Sequence, residues 1–531
     1  MPIVSTSILT LACLLGALLG WRRPDWIHAV GEWVEARRRL VWVTWVLGFV
    51  LVNLIPVLWL GLPQPAIHDE FSYWLGADTM AHGRLANPQI PAWENFETLY
   101  VQMRPTYVSI YPPGSAATLA FGKVVFGHPY WGLVIVFTAL AAVLPWALLA
   151  YVEFRFAMAA AFLVGGGVAC TYWTHGYWGG ALAALLGTLL VAALGREGVG
   201  AALLLGLAAG ALSFVRPFEG ALLVAGATAI FAWRRPGIRS WVAYLGVLTG
   251  SLCIWLYYNQ ATTGNALVHP YFRYFSEYIA KPFFWWQSAR EVTFRHIEIE
   301  LMLSSYGGGL DGIGGFAWKI LVFLFPMRPV PTSILLFAGL YFAWQRKRSL
   351  WLLAGMAGLT MNLSRFAFPH YVAVYFGGIA LLTAYGWKQL RDQRALVAGL
   401  LTLALAADAE AFFNMLRGRR DVKVMSAIWP AIEYPPYSLN FSADGFVRRK
   451  EGVELDLLSR PGPHLVFVRY DASHNPHEEW IYNGADLASQ EIVWARFYTA
   501  ESRELVKKAY GGRSCWVLEP DADPYRLSGC D

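Results

Sequence analysis

Two adjacent carboxylates, Asp69 and Glu70, follow a hydrophobic run and are the residues of this chain best suited to chemistry. The run covers residues 40–62, carries no charge and is long enough to cross a bilayer. Ionisable groups near the membrane surface are costly unless they have partners or a function. One interpretation is a general base that takes a proton from an acceptor hydroxyl whose oxygen attacks a sugar carbon. The other is a solvated pair that complements the dipole at a helix N-terminus.

Further polar side chains that suit ligand binding lie in two long loops, about residues 63–129 and 259–329. In the second loop, cationic and aromatic side chains interleave. That mixture suits a polyanionic headgroup with a stacked ring, and it equally suits an amphipathic helix at the membrane interface. The candidate binding residues in the two loops are Arg104, Tyr111, Tyr271 and Arg273.

Short junctions between other hydrophobic runs hold four more candidates, which are His175, Arg216, Arg365 and His370. Arg216 and Arg365 stand at the edge of hydrocarbon on the side opposite to the other basic clusters. Either they snorkel to the interface, or they bind a lipid phosphate, whose geometry a guanidinium matches bidentately. His175 lies in an aromatic turn, where it is either an interfacial anchor or a ligand.

The composition indicates a polytopic membrane protein. Of 531 residues, 56% are hydrophobic and only 15% are charged, which is far more apolar surface than a soluble protein needs. The formal charge of +6 gives no reason to expect a nucleic-acid partner, because the basic residues sit mostly in short loops. The 25 Trp favour the headgroup level or line walls that contact sugars and lipids.

The basic loops set the predicted orientation, because Lys and Arg collect on the cytoplasmic side. Placing every basic cluster there gives about twelve membrane spans, with both long loops and both termini outside the cytoplasm. The predicted spans are roughly 3–20, 40–62, 130–152, 156–173, 180–195, 199–215, 219–233, 240–258, 330–345, 349–365, 370–386 and 395–415. Residues 116–127 and 315–326 are predicted to lie along the interface.

The tail, residues 416–531, is predicted to be a small extracytoplasmic α/β domain, separate from a membrane region that covers residues 1–415. Its apolar runs at 464–470, 492–498 and 514–519 favour strands, and 501–510 favours a helix. Cys515 and Cys530 can pair if the tail lies outside the cytoplasm. His474 and His477 with Glu478 and Glu479 are a weak metal candidate, since an Asn-Pro turn interrupts them.

Several stretches of the chain carry a family resemblance. They are His68-Asp69-Glu70-Phe71-Ser72-Tyr73, Ala81-His82-Gly83-Arg84-Leu85, Tyr111-Pro112-Pro113, Tyr177-Trp178-Gly179-Gly180 and Pro369-His370-Tyr371. Together with the predicted topology, they resemble a bacterial branch of the GT-C superfamily of polytopic glycosyltransferases. The nearest branches are the protein O-mannosyltransferases and the lipid A aminoarabinose transferase type. The resemblance covers most of the membrane region, and the tail has no motif that matches.

The resemblance implies transfer of a sugar from a polyprenyl-phosphate donor to a lipid, glycan or protein acceptor outside the cytoplasm of a bacterium. It implies an inverting reaction with an acidic residue of the first loop as general base. By this resemblance Asp69 is the expected general base, and Glu70 is its partner or substitute. Arg216 is predicted to bind the donor phosphate, with Arg365 and His370 as second choices on position alone. Branches of the superfamily differ in their need for a metal, and no ligand set for one is evident in this chain.

Two other functions are compatible with parts of the same sequence pattern. A transporter or flippase for a lipid-linked sugar fits the number of spans, but charges within the spans are scarce and the long loops lie on one side. A non-catalytic envelope-assembly partner would keep the aromatic loops and tolerate the loss of both Asp69 and Glu70.

Overall fold

The computed structural model describes residues 15, 16, 18, 25–169, 171–279, 284, 288, 290–305, 329–346, 348–363, 369–416 and 445–530. Most of the predicted span 3–20 lies outside the described residues, and so do Arg365 and the predicted interfacial stretch 315–326.

Most of the described chain before residue 417 is helical. The α-helices are Asp25–Ala36, Arg38–Leu60, His68–Ala81, Pro113–Phe126, Tyr130–Leu148, Phe154–Ala160, Tyr172–His175, Ala181–Leu194, Gly198–Ser213, Pro217–Trp233, Ile238–Thr263, Pro270–Tyr278, Ile297–Ser305, Pro329–Arg346, Arg348–Leu363, Phe376–Leu390 and Arg394–Leu416. A π-helical turn, Ala161–Gly165, and 3₁₀ turns at Trp93–Asn95, Gly166–Val168 and Pro369–Tyr375 interrupt the series. Helices or 3₁₀ turns thus overlap each predicted hydrophobic run after the first.

Three of these helices are long and apolar enough to cross a membrane by length and composition: Arg38–Leu60, Tyr130–Leu148 and Ile238–Thr263. The shorter apolar helical segments are Phe154–Val168, Ala181–Leu194, Gly198–Ser213, Pro217–Trp233, Ser333–Gln345, Trp351–Thr360 and Ala395–Ala406. The described chain therefore has the apolar helices of a membrane protein, and the predicted total of about twelve spans stays a prediction.

The chain divides into two compact units. The first unit comprises residues 1–63, 133–252 and 310–441, and the second comprises residues 64–132, 253–309 and 442–531. The second unit therefore combines most of both predicted outer loops with the tail.

Close helix packing in the first unit depends on reciprocal glycines. A side chain added at Gly339 would lie 1.9 Å from the carbonyl oxygen of Leu382, and one added at Gly386 would lie 1.8 Å from that of Leu335. The helices Pro329–Arg346 and Phe376–Leu390 therefore touch backbone to backbone at two points. Small residues permit such crossings between apolar helices, which pack by van der Waals contact rather than by hydrophobic exclusion.

The second unit holds all the strands of the described chain. Strands β1 (Asn87–Pro88), β2 (Val101–Gln102) and β3 (Thr106–Ser109) form a small antiparallel sheet in the order β1-β3-β2. The tail sheet has the order β5-β4-β6-β7, from β4 (His464–Val468), β5 (Ile492–Arg496), β6 (Ser514–Glu519) and β7 (Arg526–Gly529). β4 is parallel to both β5 and β6, and β7 is antiparallel to β6.

The described part of the tail contains both strands and helices. Its three predicted strands are present, its helices are Gly445–Leu458 and Ala500–Ala509, and all five residues of β4 are buried. A disulfide joins Cys515 to Cys530 and so links β6 to the residue after β7. The first-loop sheet and strand β7 were not predicted, because two- to four-residue strands carry too few residues for a periodic pattern.

Buried apolar clusters join the tail to the first loop within the second unit. One cluster contains Leu75 and Trp93 of the first loop together with Leu465 and Val493 of the tail. In another, Phe71 packs against buried tail residues that include Trp480. The loop and the tail therefore share a hydrophobic core, and burial of that apolar area stabilises both.

A buried ion network reinforces this core. Arg496 of β5 is 3% exposed and pairs with Glu479. Its Nη1 lies 3.3 Å from Oε2 of Glu298, and its Nε donates to the carbonyl oxygen of Glu97 at 2.8 Å. Glu298 belongs to the second loop and Glu97 to the first. One guanidinium therefore ties three separate chain segments together.

The first prediction concerns this pair. We expect Glu479→Gln to lower the free energy of unfolding by on the order of 3 kcal/mol, because it leaves a buried guanidinium without its closest counter-charge. Glu519→Gln is the matched control, since the pair between Glu519 and Arg469 is partly exposed and such pairs contribute at most about 1 kcal/mol. Thermal unfolding of the purified protein measures both. Equal melting temperatures for the two variants would contradict the prediction.

Candidate active site

The helix His68–Ala81, here called the Asp69 helix, begins with a cap that Glu70 provides. Ile67 is extended, with φ −126° and ψ 160°, and the chain turns into the helix after it. Oε2 of Glu70 accepts from the backbone N–H of Ala66 at 2.9 Å and of Ile67 at 3.4 Å. Glu70 itself is fully buried. Its carboxylate thus satisfies N–H groups that the start of a helix leaves unpaired.

Asp69 has a different environment, although it is the adjacent residue. Its side chain is partly exposed, and Oδ1 accepts a hydrogen bond of 2.5 Å from the hydroxyl of Tyr111. Burial raises the pKa of Tyr111 well above 10, and the nearby charge of Asp69 raises it further. The phenol therefore stays protonated and remains a donor to the carboxylate. Of the two predicted catalytic carboxylates, Asp69 is the accessible one and Glu70 acts as a helix cap.

Tyrosine rings surround the phenol that donates to this carboxylate. The ring of Tyr111 stacks on Tyr73 with centroids 4.5 Å apart, and it lies 6.0 Å from Tyr100 and 6.3 Å from Tyr271. Tyr271 belongs to the helix Pro270–Tyr278 of the second loop, where its ring stacks on Phe275 at 4.2 Å. The structure thus brings Asp69, Tyr111 and Tyr271 together from separate segments. Such rings offer flat apolar faces with polar edges, which suit a sugar.

The two cationic candidates of this unit have partners of their own. The exposed guanidinium of Arg104 lies over the ring of Trp93, 4.3 Å from its centroid. Arg273 pairs with Glu277 one turn further along its helix at 3.3 Å. Both are surface interactions of modest strength, so either cation can exchange its partner for an anionic ligand at small cost.

In the first unit, Arg216 and His370 lie close enough to interact electrostatically. Arg216 immediately precedes the helix Pro217–Trp233, and its guanidinium lies 5.7 Å from the ring of Tyr371. His370 is buried, and its Nδ1 is 3.2 Å from the hydroxyl of Tyr172. A guanidinium at a helix N-terminus is a favourable place for an anion.

His175 has a structural environment. It is fully buried, its Nε2 lies 2.9 Å from the carbonyl oxygen of Asn53, and its Nδ1 lies 3.0 Å from Oγ1 of Thr174. Asn53 belongs to the helix Arg38–Leu60. The ring therefore fastens the aromatic turn to that helix, which favours the interpretation as an anchor over that as a ligand. Arg365 lies outside the described residues, so its predicted role stays a prediction.

Within the described residues, no three His, Cys, Asp or Glu side chains are grouped so that they could hold a metal. The residues of the tail that were considered for a metal have separate partners. His474 bonds to Asp521 at 2.7 Å, Glu478 pairs with Arg449 and Glu479 pairs with Arg496.

Sequence reasoning missed two side chains that contact the start of the Asp69 helix. Tyr482 of the tail bonds to His68, and Lys450 places its Nζ 4.8 Å from the ring centroid of Phe71. Neither belongs to a recognisable motif, and both are far from Asp69 in sequence. A signal for them could have come only from the fold.

Comparison with known proteins gives structural likenesses alone. No family model matches the chain, and no curated protein matches it. It is similar to ArnT from Cupriavidus metallidurans in the apo state, with 15% identity and a TM-score of 0.48 over 90% of this chain and 93% of that chain. It is also similar to the archaeal oligosaccharyltransferase AglB from Archaeoglobus fulgidus, in complex with an inhibitory peptide and a dolichol-phosphate. There the identity is 12% and the TM-score 0.40 over 92% of this chain and 70% of that chain.

At these identities and TM-scores the two likenesses transfer no activity and no residue role to this chain.

The second prediction is that substitutions at Glu70 and at Asp69 differ in their effect on the free energy of unfolding. We expect Glu70→Ala to lower the free energy of unfolding by about 1–2 kcal/mol, because two N–H groups at a buried helix start lose their acceptor. Glu70→Gln keeps an acceptor oxygen and should lose less. Asp69→Asn should leave the melting temperature within about 1 °C, since a partly exposed amide oxygen still accepts from Tyr111. A larger loss from Asp69→Asn than from Glu70→Ala would reverse the assignment.

The third prediction concerns pH. Burial lowers the pKa of His68 and of His296 from 6.5 to about 4. Between these values the unfolded chain takes up protons that the folded protein does not, so the free energy of unfolding falls as the pH drops from 6.5 toward 4. Burial raises the pKa of Glu97 above 4.5, and this opposes the loss at the acidic end.

Melting temperatures of the purified protein at pH 7 and pH 5 test this. The control is His296→Gln, whose amide can still donate to the carbonyl oxygen of Glu94, which the His296 ring now contacts at 2.8 Å. Because glutamine does not titrate, the variant should lose less stability over the interval. An unchanged pH dependence would show that His296 does not contribute.

Proposed function

We propose that this chain is a membrane glycosyltransferase that moves a sugar from a polyprenyl-phosphate donor to an acceptor outside the cytoplasm. The observation that carries the proposal is Asp69, a partly exposed carboxylate at the first turn of a helix, which accepts a hydrogen bond from Tyr111 in a cluster of tyrosine rings. The resemblance of the surrounding motifs to the GT-C superfamily supports the same reaction class.

In the proposed reaction Asp69 is the general base. The acceptor hydroxyl attacks the anomeric carbon of the donor sugar and loses its proton to the carboxylate of Asp69. The bond between that carbon and the phosphate oxygen breaks, and the polyprenyl phosphate leaves with the electron pair. A single displacement of this kind inverts the anomeric centre. A well-placed base contributes about 10²–10⁴-fold to such a step.

Tyr111 restricts the carboxylate in this scheme. A hydrogen bond to Oδ1 limits rotation of the carboxyl group and directs the other oxygen at the acceptor, so less orientational freedom is lost in the transition state. The exposed parts of the Tyr111 and Tyr271 rings provide a face for the sugar. Arg104 and Arg273 supply positive charge for an anionic headgroup once their present partners are exchanged.

Arg216 is the proposed ligand of the donor phosphate, with His370 beside it. The guanidinium offers two parallel donors, and the N-terminus of Pro217–Trp233 adds a positive dipole end. Both features stabilise the negative charge that grows on the phosphate as the sugar leaves. Arg365 remains a second choice on sequence position alone.

We place the reaction at the outer face of a bacterial cytoplasmic membrane, with the tail on that side. The orientation rests on the basic loops, and a tail disulfide fits an oxidising compartment. The acceptor is a lipid, glycan or protein, and the proposed chemistry draws on residues of the chain alone.

The fourth prediction tests the base. We expect Asp69→Asn to reduce sugar transfer at least about 100-fold, because an amide cannot take the proton. The control is Asp392→Asn, which changes a carboxylate that is 85% exposed. Mass spectrometry of envelope glycolipids and glycoproteins, from cells with and without the chain, finds the product. Purified protein in nanodiscs is then assayed with undecaprenyl-phosphate donors that carry radiolabelled hexoses or pentoses.

Wild-type transfer by Asp69→Asn would remove Asp69 from the mechanism. Movement of a lipid-linked sugar across vesicles without any covalent product would favour the transporter instead. Normal envelope products after loss of both Asp69 and Glu70 would favour a non-catalytic partner.

A further inference from the structure

One face of the Asp69 helix is covered by the tail. The side chains on this face are His68, Phe71, Leu75 and Asp78, which follow one another at intervals of three and four residues. That spacing places them in one stripe along the helix. The segment that contacts both ends of the stripe is residues 479–485, here called the docking loop.

Tyr482 of the docking loop holds the first turn of the helix. Its hydroxyl forms a 2.8 Å hydrogen bond with Nδ1 of His68, which is buried. Its ring stacks on Phe71, with centroids 4.2 Å apart and planes 3° from parallel. Lys450 approaches the Phe71 ring as well, at 4.8 Å. Asp69 lies between these two anchored residues in the chain, so its backbone is held on both sides.

The docking loop also holds the far end of the helix. Oδ2 of Asp78 accepts from the backbone N–H of Ala485 at 2.6 Å, and Oδ1 accepts from Nζ of Lys123 at 2.5 Å. A Cβ at Gly484 would lie 2.6 Å from Oδ2 of Asp78, so any other residue there would displace the Asp78 carboxylate. The helix is therefore fixed along its length and not at a single point.

The docking loop is itself anchored to the tail sheet. Glu479 pairs with buried Arg496 of β5 and accepts from the N–H of Ile481 at 3.0 Å. Asn483 exchanges two hydrogen bonds with the backbone of Trp494, at 2.8 and 2.9 Å. A loop fixed on both sides of Tyr482 can transmit the position of the tail sheet to the helix.

From these contacts we infer that the tail positions Asp69 for the reaction, and that Tyr482 is the positioning residue through which it acts. This inference rests on the proposed function. A general base must lie within hydrogen-bond reach of the proton it takes, and a misplacement of about 1 Å can cost on the order of 100-fold in rate. The tail thereby gains a role that none of its own sequence motifs indicates.

The fifth prediction uses Tyr482→Phe, which removes the hydroxyl and keeps the stacked ring. The control is Tyr510→Phe, a partly exposed tyrosine of the tail that packs against Phe96 rather than the Asp69 helix. Hydrogen exchange is measured on the full-length protein in nanodiscs. The N–H groups of Glu70 and Phe71, which bond to the carbonyl of Ile67, should exchange about fivefold faster in Tyr482→Phe only. Those of β4 should be unchanged in both variants.

Transfer is measured on the same samples, with the radiolabelled undecaprenyl-phosphate donor that the wild-type protein uses. We expect kcat to fall about tenfold in Tyr482→Phe, while KM for the donor stays within about twofold. Gly484→Ala, which displaces Asp78 at the other end, should lower kcat in the same way. A purely structural role would lower the melting temperature and the amount of active protein, with kcat per folded molecule unchanged.

The outcomes separate the two claims. Faster exchange at Glu70 and Phe71 with a lower kcat supports the inference. Wild-type exchange and wild-type kcat in Tyr482→Phe overturn the inference and leave the proposed function standing. Absence of transfer by the wild-type protein from every donor overturns the proposed function, and with it a catalytic role for the tail, even if exchange at the helix responds as expected.

Discussion

The buried guanidinium of Arg496 imposes the constraint on which the second unit depends. A charge removed from water must be matched by counter-charges and acceptors, or the fold loses several kcal/mol. Here the acceptors come from three parts of the chain: Glu479 of the tail, the carbonyl oxygen of Glu97 in the first loop and Glu298 in the second. The tail supplies the closest counter-charge, and each of the two loops supplies a further acceptor. The requirement therefore assembles the loops and the tail into one unit.

Assembly of this unit has a consequence for the Asp69 helix. Two adjacent carboxylates with the same intrinsic chemistry acquire different roles because one is buried and the other is partly exposed. Glu70 is committed to backbone N–H groups, whereas Asp69 accepts from a phenol and keeps access to solvent. Burial thus distinguishes the two carboxylates, although they belong to side chains of the same chemical type.

Several of the many aromatic residues of the chain cluster near Asp69. Tyrosines from the Asp69 helix and from the second loop pack against Tyr111, which donates to Asp69. Tyr482 brings a further ring from the tail onto Phe71. These rings bury the phenol of Tyr111. A low local dielectric strengthens the hydrogen bond between Tyr111 and Asp69.

The sequence by itself predicted the apolar helices and the strands of the tail, and it indicated Asp69 and Glu70 as candidate residues. It could do so because apolar runs, strand-like runs and the position of charges relative to a span are local properties of the chain. The cap that Glu70 forms is local, but its complete burial, the partner of His175 in another helix and the contacts of Tyr482 were decided by the tertiary structure. These features depend on which distant segments pack against the residue. No local pattern encodes such a meeting, since the segments lie more than a hundred residues apart in the chain.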